Sequence, residues 1–192
     1  MDYVCTDYDR TTGSRTSLLT KWAGLEGTAV LASEREADLC TRYSQTFVGK
    51  AKDMLRDISV RSEAEAAREY GITAMHALSE GGIFAALWEM AAASGTGLQV
   101  ELKKVPLRQE TVEVCEFFDL NPYQLLSNGS LMIICDRGYD LVDFLEKRGI
   151  KSAVIGKLTD DHDKIIIYDE EETRYLEPPK ADELYKVDFA KE

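Results

Sequence analysis

Apolar positions along this chain recur in two alternating rhythms. Residues 1–16 carry no hydrophobic period and read as a poorly anchored lead-in. Ser17–Leu19 has the makings of a short strand, and Gly24-Leu25-Glu26-Gly27 leads into a helix through Thr28–Leu31. From Ser33 to Tyr43 the residues are strongly helix-forming. Ser33, with Glu36 three residues later, has the spacing of a capping box. Gln45–Arg56 puts Phe47, Val48, Ala51, Met54 and Leu55 on one face of a second helix. Ile58-Ser59-Val60 is short and extended, and Ser62 is placed to cap a helix running to Tyr70 and stopped by Gly71.

Beyond Gly71 the period switches back and forth. Ile72–His76, Leu98–Leu102, Ser130–Cys135, Ser152–Leu158 and Lys164–Tyr168 read as strands. Glu80 or Gly81 to Ala93, Gln109–Phe118 and Tyr139–Arg148 read as helices, with Pro122–Leu126 a further helical turn. Asp160-Asp161-His162-Asp163 reads as an exposed hairpin turn into Lys164–Tyr168. Thr173–Leu176 adds an edge strand, Pro178-Pro179 ends regular structure, and Ala181–Tyr185 gives a last helical turn. Strands spaced by helices of roughly 10–15 residues predict an α/β (α+β) fold, a layered sandwich with a mixed sheet. The run from Ile72 to Tyr168 has a partly ferredoxin-like order.

Composition narrows the classes. Hydrophobic residues make up 44% of 192, enough to bury a sizeable core. No apolar run approaches the ~20 residues that span a bilayer, and the acidic start, Met1 to Asp7, lacks a signal-peptide pattern. The expectation is a cytoplasmic protein with no membrane partner. A net charge of −12 argues against nucleic acid, whose phosphates would be repelled. The cysteines are Cys5, Cys40, Cys115 and Cys135. With no C-x-x-C pair and two histidines, no metal site is expected on this chain. Cys115 and Cys135 sit in apolar patterns and read as core residues.

The stretch from Gly71 to Met90 carries the most chemistry. A strand passes through a small polar turn into a helix whose first N–H groups have no intrahelical partner. Gly81 and Gly82 permit close approach of backbone or ligand. The positive helix end suits phosphate or carboxylate, so Ser79, Gly81 and Gly82 are candidate substrate- or phosphate-binding residues. Ser79 is placed to cap the helix. His76 and Glu80 are the candidate catalytic residues, for acid–base work at the mouth of the turn. On these residues alone, a tight strand–helix turn with a structural histidine accounts for the pattern better. Lys103, Lys104 and Arg108 form a basic cluster, and Glu170-Glu171-Glu172 a second acidic run. Both read as solvated surface.

Met75-His76-x-x-Ser79-Glu80-Gly81-Gly82, with Ala91-x-x-Ser94-Gly95-x-Gly97 after it, resembles the carboxy-terminal domain of the AIR synthase superfamily, which holds the PurM, HypE, SelD and ThiL branches. The wording is most similar to the HypE-like branch. Thr20-Lys21-Trp22-x-Gly24-Leu25-Glu26-Gly27-Thr28 resembles the junction between the two family domains. Leu102–Glu116, Phe118-x-x-Asn121-Pro122-Tyr123, Ser127-x-Gly129-Ser130-Leu131 and Gly149–Thr159 agree in the same order. The resemblance implies a PurM C-terminal-domain-like fold. It divides the chain into residues 1–60, a lead-in and junction with the remnant of an amino-terminal domain, and residues 61–192, the carboxy-terminal domain. It further implies an ATP-dependent protein of the hydrogenase-maturation type. In that picture the chain lines the acceptor cleft and is inactive alone. ATP and Mg²⁺ belong to the complete two-domain protein, with none held here. The expected partners are a missing amino-terminal domain or a separate partner protein, and a homodimer is expected.

Two departures from the resemblance bear on chemistry. Ala77 stands where the HypE-like pattern often has Asp, and the sequence ends Asp188-Phe189-Ala190-Lys191-Glu192 rather than in the cysteine that receives a carbamoyl group in HypE. A reading from another class is a non-catalytic dimerisation or partner-binding module, using Ser17–Leu19 and an open sheet face for attachment.

Overall fold

A computed structural model describes residues 15–169 and 171–189. Cys5, the predicted lead-in up to residue 14, Glu170 and the last three residues lie outside the described residues. Seven strands form one sheet: β1 (Thr16–Thr20), β2 (Ala74–Ala77), β3 (Gly97–Glu101), β4 (Leu131–Cys135), β5 (Ser152–Thr159), β6 (Lys164–Ile167) and β7 (Thr173–Tyr175). Their order is β2-β4-β1-β5-β3-β6-β7. Every neighbouring pair is antiparallel except β3 and β6. The helices are α1 (Leu25–Glu34), α2 (Glu36–Leu39), α3 (Gln45–Asp53), α4 (Arg61–Tyr70), α5 (Gly82–Ser94), α6 (Gln109–Phe118) and α7 (Gly138–Glu146).

The sheet separates two cores. On one face α5 packs Ile83, Leu87 and Met90 against Leu19, Leu98, Val100, Met132, Ile134 and Ile155. On the other, α4 and α7 cover Leu18, Met75, Leu131, Ile133 and Cys135. Because β4 is covered on both faces, all five of its residues are buried, as its unbroken apolar run predicts. A third cluster joins α1, α2, α3 and α6 through Leu31, Leu39, Val48, Ala51 and Val114.

β1 lies inside the sheet, between β4 and β5. It pairs Leu18 with Ile133 and Val154, and without it β2-β4 would be severed from β5-β3-β6-β7. Residues before 60 therefore share a sheet with those after it. With both its edges paired and Leu18 and Leu19 fully buried, β1 is no attachment edge, contrary to the expectation for Ser17–Leu19.

Three local expectations are corrected. Ser33 does not cap a helix: α1 runs through it, and its hydroxyl donates back to Ala29 O at 2.8 Å, a bond available only inside a helix. Ser62 likewise lies inside α4, which starts at Arg61 and has Val60 as its flanking residue. The Ser62 hydroxyl donates to Glu63. Finally, Asp160–Asp163 is not a hairpin turn. β5 and β6 do not pair with each other; β3 lies between them. The connection instead crosses the start of β3, where Leu98 N donates to Asp163 O at 2.8 Å. Gly97 makes this possible, since a Cβ there would stand 2.1 Å from Asp161 Oδ1 and 2.5 Å from Asp163 O.

Candidate functional site

β1 and β2 run in the same direction, and each delivers the chain to a helix start at the same end of the sheet. Both starts use a left-handed glycine as the flanking residue, Gly24 (φ 71°) before α1 and Gly81 (φ 76°) before α5, and Gly82 is left-handed as well (φ 63°). L side chains are strained in this region, which is why these positions favour glycine.

One loop, 121–130, ties the two starts together. Gly24 N donates to the Ser127 hydroxyl at 2.7 Å, and Gly27 N to Leu126 O at 2.8 Å. Ser127 N donates to Ser79 O at 3.1 Å, and the Ser127 hydroxyl, fully buried, donates to Leu125 O. Asn128 Nδ2 donates to Glu26 Oε2 at 2.6 Å. Gly82 is pressed against the same loop: a Cβ would lie 2.6 Å from Tyr123 O and 2.7 Å from Leu125 O. Phe84 and Tyr123 stack above this contact at 5.6 Å.

The predicted residues divide between two places. Ser79, Gly81 and Gly82 form the tight turn itself. Ser79 acts through its carbonyl, which accepts from Gly82 N and Ser127 N, and it does not cap α5. The capping group is Asp182. Its Oδ2 accepts from Gly81 N at 2.7 Å, while its Oδ1 accepts from Leu126 N at 3.2 Å and Leu184 N at 2.9 Å. Asp182 is 4% exposed. The amide of Gly81 therefore meets a carboxylate of this chain rather than an open groove.

His76 and Glu80 do not meet each other through any of these bonds. His76 sits on β2, and its Nε2 is 2.9 Å from Glu89 Oε2. Glu89 is seven residues past Gly82, about 10 Å along α5. The Glu89 carboxylate orients the imidazole along the flank of α5 rather than at its amino end. Glu80 is exposed and accepts from the Tyr185 hydroxyl at 2.8 Å. That bond holds the Tyr185 phenol above its usual pKa.

A cavity of about 690 Å³ lies apart from the α5 start, against α4, and its walls include Lys21, Trp22, Glu63, Arg148 and Lys151. Lys21, itself left-handed at φ 54°, drives its ammonium to Glu63 at 2.8 Å and to the carbonyls of Asp57 and Ser59. Trp22 has Arg108 and Lys151 over its ring at 5.1 and 5.8 Å. Of the predicted basic cluster, Lys104 pairs with Glu101, and Arg108 with Glu110. In the acidic turns the carboxylates bind backbone. Asp161 accepts from Asp163 N, and Asp169 from Glu171 N and Glu172 N, which lowers the Asp169 pKa. Among the described residues, no group of three His, Cys, Asp or Glu stands close enough to hold a metal ion. No helix there is long and apolar enough to cross a membrane.

Sequence reasoning missed Glu26, Ser127, Asn128, Glu89 and Asp182. The Gly24-x-x-Gly27 spacing was a visible sign of a second glycine-opened helix start. Nothing local links Asp182 to Gly81, 101 residues away.

Residues 13–169 match the family model described as AIR synthase related protein, C-terminal domain. Carbamoyl dehydratase HypE of Rhodobacter capsulatus is 32% identical over 96 residues, 48% of this chain and 28% of that protein. The phosphoribosylformylglycinamidine synthase subunit PurL of Salinibacter ruber is 23% identical over 160 residues, 81% of this chain and 20% of that protein. Among solved structures, E. coli HypE aligns over 94% of this chain and 54% of its own with a TM-score of 0.74 at 20% identity. Thiamine monophosphate kinase of Aquifex aeolicus aligns over 85% of this chain and 53% of its own with a TM-score of 0.58 at 18% identity. At these identities the structures establish the fold, and the chain spans about half the length of each solved relative.

Proposed function

The chain belongs to the AIR synthase related family through its C-terminal domain, and from that premise we propose that it forms the acceptor-side wall of an ATP-dependent enzyme of the HypE type. The observation that carries this reading is the convergence of two glycine-opened helix starts on one loop at one end of the sheet. Such ends present backbone N–H groups and a partial positive charge, which suit an oxyanion. Ser79, Gly81 and Gly82 would face the anionic part of the acceptor once the Asp182 carboxylate that holds Gly81 N is displaced. Glu80 would sit at the rim, and His76, held by Glu89 along the flank of α5, would steady that wall rather than meet the acceptor.

The nucleotide would be held by a second domain, in the same or another polypeptide. The described residues offer no carboxylate cluster that fits Mg²⁺. Phosphoryl transfer is largely positioning and charge stabilisation, so one wall without the other is inactive. One solved relative is HypE in complex with ATP and another is a HypE–HypF complex. By analogy, this chain would meet its nucleotide and protein partner in the cytoplasm as part of a dimer.

The test is ATP turnover by the purified chain, with and without a separately expressed amino-terminal HypE-type domain. The expected result is no turnover alone and a gain on mixing. Turnover by the chain alone that scales with protein and is abolished by Glu80→Ala would overturn the reading.

A further inference from the structure

Residues 176–188 cross from one core to another and touch the candidate site on the way. Leu176 is buried with the α5 face of the sheet, whereas Leu184 and Val187 pack against the α1, α3 and α6 cluster. Between these anchors, Asp182 gathers the amides of Gly81, Leu126 and Leu184. Glu183, 3% exposed, accepts from Asn121 N at 3.0 Å, and Tyr185 donates to Glu80. The segment thus binds the turn 79–82 and the loop 121–126 simultaneously, through buried carboxylates on consecutive residues. It has little regular structure of its own, a single 3-10 turn over Glu183–Lys186. Its hold therefore comes from these contacts rather than from propensity.

We propose that residues 177–188 act as a strap that gates the candidate site. The gating rests on the reading above, in which the Gly81 amide serves the acceptor. A backbone N–H committed to Asp182 cannot also bind a ligand oxygen, so a seated strap and a ligand at Gly81 exclude each other. Ligand binding and strap release are then linked equilibria, each favouring the other. Because Asp182 bridges both segments and Glu183 adds a bond to the loop, the turn and the loop loosen together when the strap leaves.

Hydrogen exchange on the full chain tests the strap itself. Asp182→Ala is expected to raise exchange at least ~10-fold in both 79–86 and 121–127, while β4 stays protected. Leu184→Ala removes only the remote apolar anchor and keeps the carboxylate, yet it should open the same two segments. If Leu184→Ala leaves both closed, or if exchange spreads into β4, the strap is overturned in favour of a local cap or of general unfolding. Inorganic phosphate, followed by the amide resonance of Gly81, tests the gating. A shift is expected in Asp182→Ala at phosphate concentrations that leave the parent chain unmoved. An equal shift in both chains overturns the gate. No shift in a chain whose strap has opened by exchange overturns the acceptor-site reading and leaves the strap standing.

Discussion

Replacing Gly82 by alanine isolates the contact on which the candidate site is built. Gly82 and Gly95 stand at opposite ends of α5 with nearly the same φ, +63° and +64°. Alanine in that region carries a strain of about 1–2 kcal/mol at either place. Their surroundings differ. Nothing lies within 4 Å of a Cβ built on Gly95, whereas one on Gly82 would stand 2.6 Å from Tyr123 O, 2.7 Å from Leu125 O and 3.0 Å from Gln124 C. These are backbone atoms, which cannot swing aside as a long side chain can. Overpacking of this kind costs ~1–3 kcal/mol. Gly95→Ala should therefore lose ~1–2 kcal/mol and Gly82→Ala ~2–5 kcal/mol. In a chain of this size each kcal/mol moves Tm by roughly 2–4 °C, so Gly82→Ala should melt ~2–12 °C below Gly95→Ala. Thermal and urea unfolding followed by circular dichroism gives both numbers. Two variants that melt together would show that loop 121–130 yields freely, and that Gly82 is not what seats α5 against it.

Two further outcomes follow from buried groups. Glu63→Leu leaves the Lys21 ammonium, whose side chain is 13% exposed, without its carboxylate, and should cost ~3–5 kcal/mol in urea unfolding. The double variant Lys21→Met/Glu63→Leu should recover much of that loss, and a double variant no more stable than the single would refute the pairing. Burial pushes the Cys115 thiol up to about 12 and the Cys135 thiol up to about 11. Since the thiolate is the reactive form, iodoacetamide at pH 8 should label half-buried Cys40 and spare Cys115 and Cys135 until denaturant is added, as read by peptide mass mapping. Native labelling of Cys115 would refute its placement in the α1, α3 and α6 cluster.

What was legible in the sequence was what a local period encodes. The apolar run Leu131–Cys135 announced a strand covered on both faces, and Gln109–Phe118 was bounded as a helix to the residue. Caps were less legible because the same serine serves a helix start or a helix interior. Ser33 and Ser62 had the composition of caps, but packing carried α1 and α4 through them. Strand order was not legible at all. Alternation says which face a residue presents, not which strand lies beside it. The turn Asp160–Asp163 therefore looked like a hairpin until Gly97 let β3 pass between β5 and β6. The candidate site divides along the same line. Gly81-Gly82 is a local signal for a left-handed helix entry and was read correctly as a place of close approach. What approaches is a loop about forty residues on and a carboxylate 101 residues on, selected by the tertiary fold. Asp182 does carry a local mark: its side chain caps its own 3-10 turn by accepting from Leu184 N. A capping aspartate uses few of its lone pairs on that bond. Buried at 4% exposure, Asp182 had to find further donors, and the unpaired amide at the start of α5 is the kind of donor a fold leaves available. The glycine pair and the aspartate thus complete each other, since each alone would leave a buried polar group without a partner.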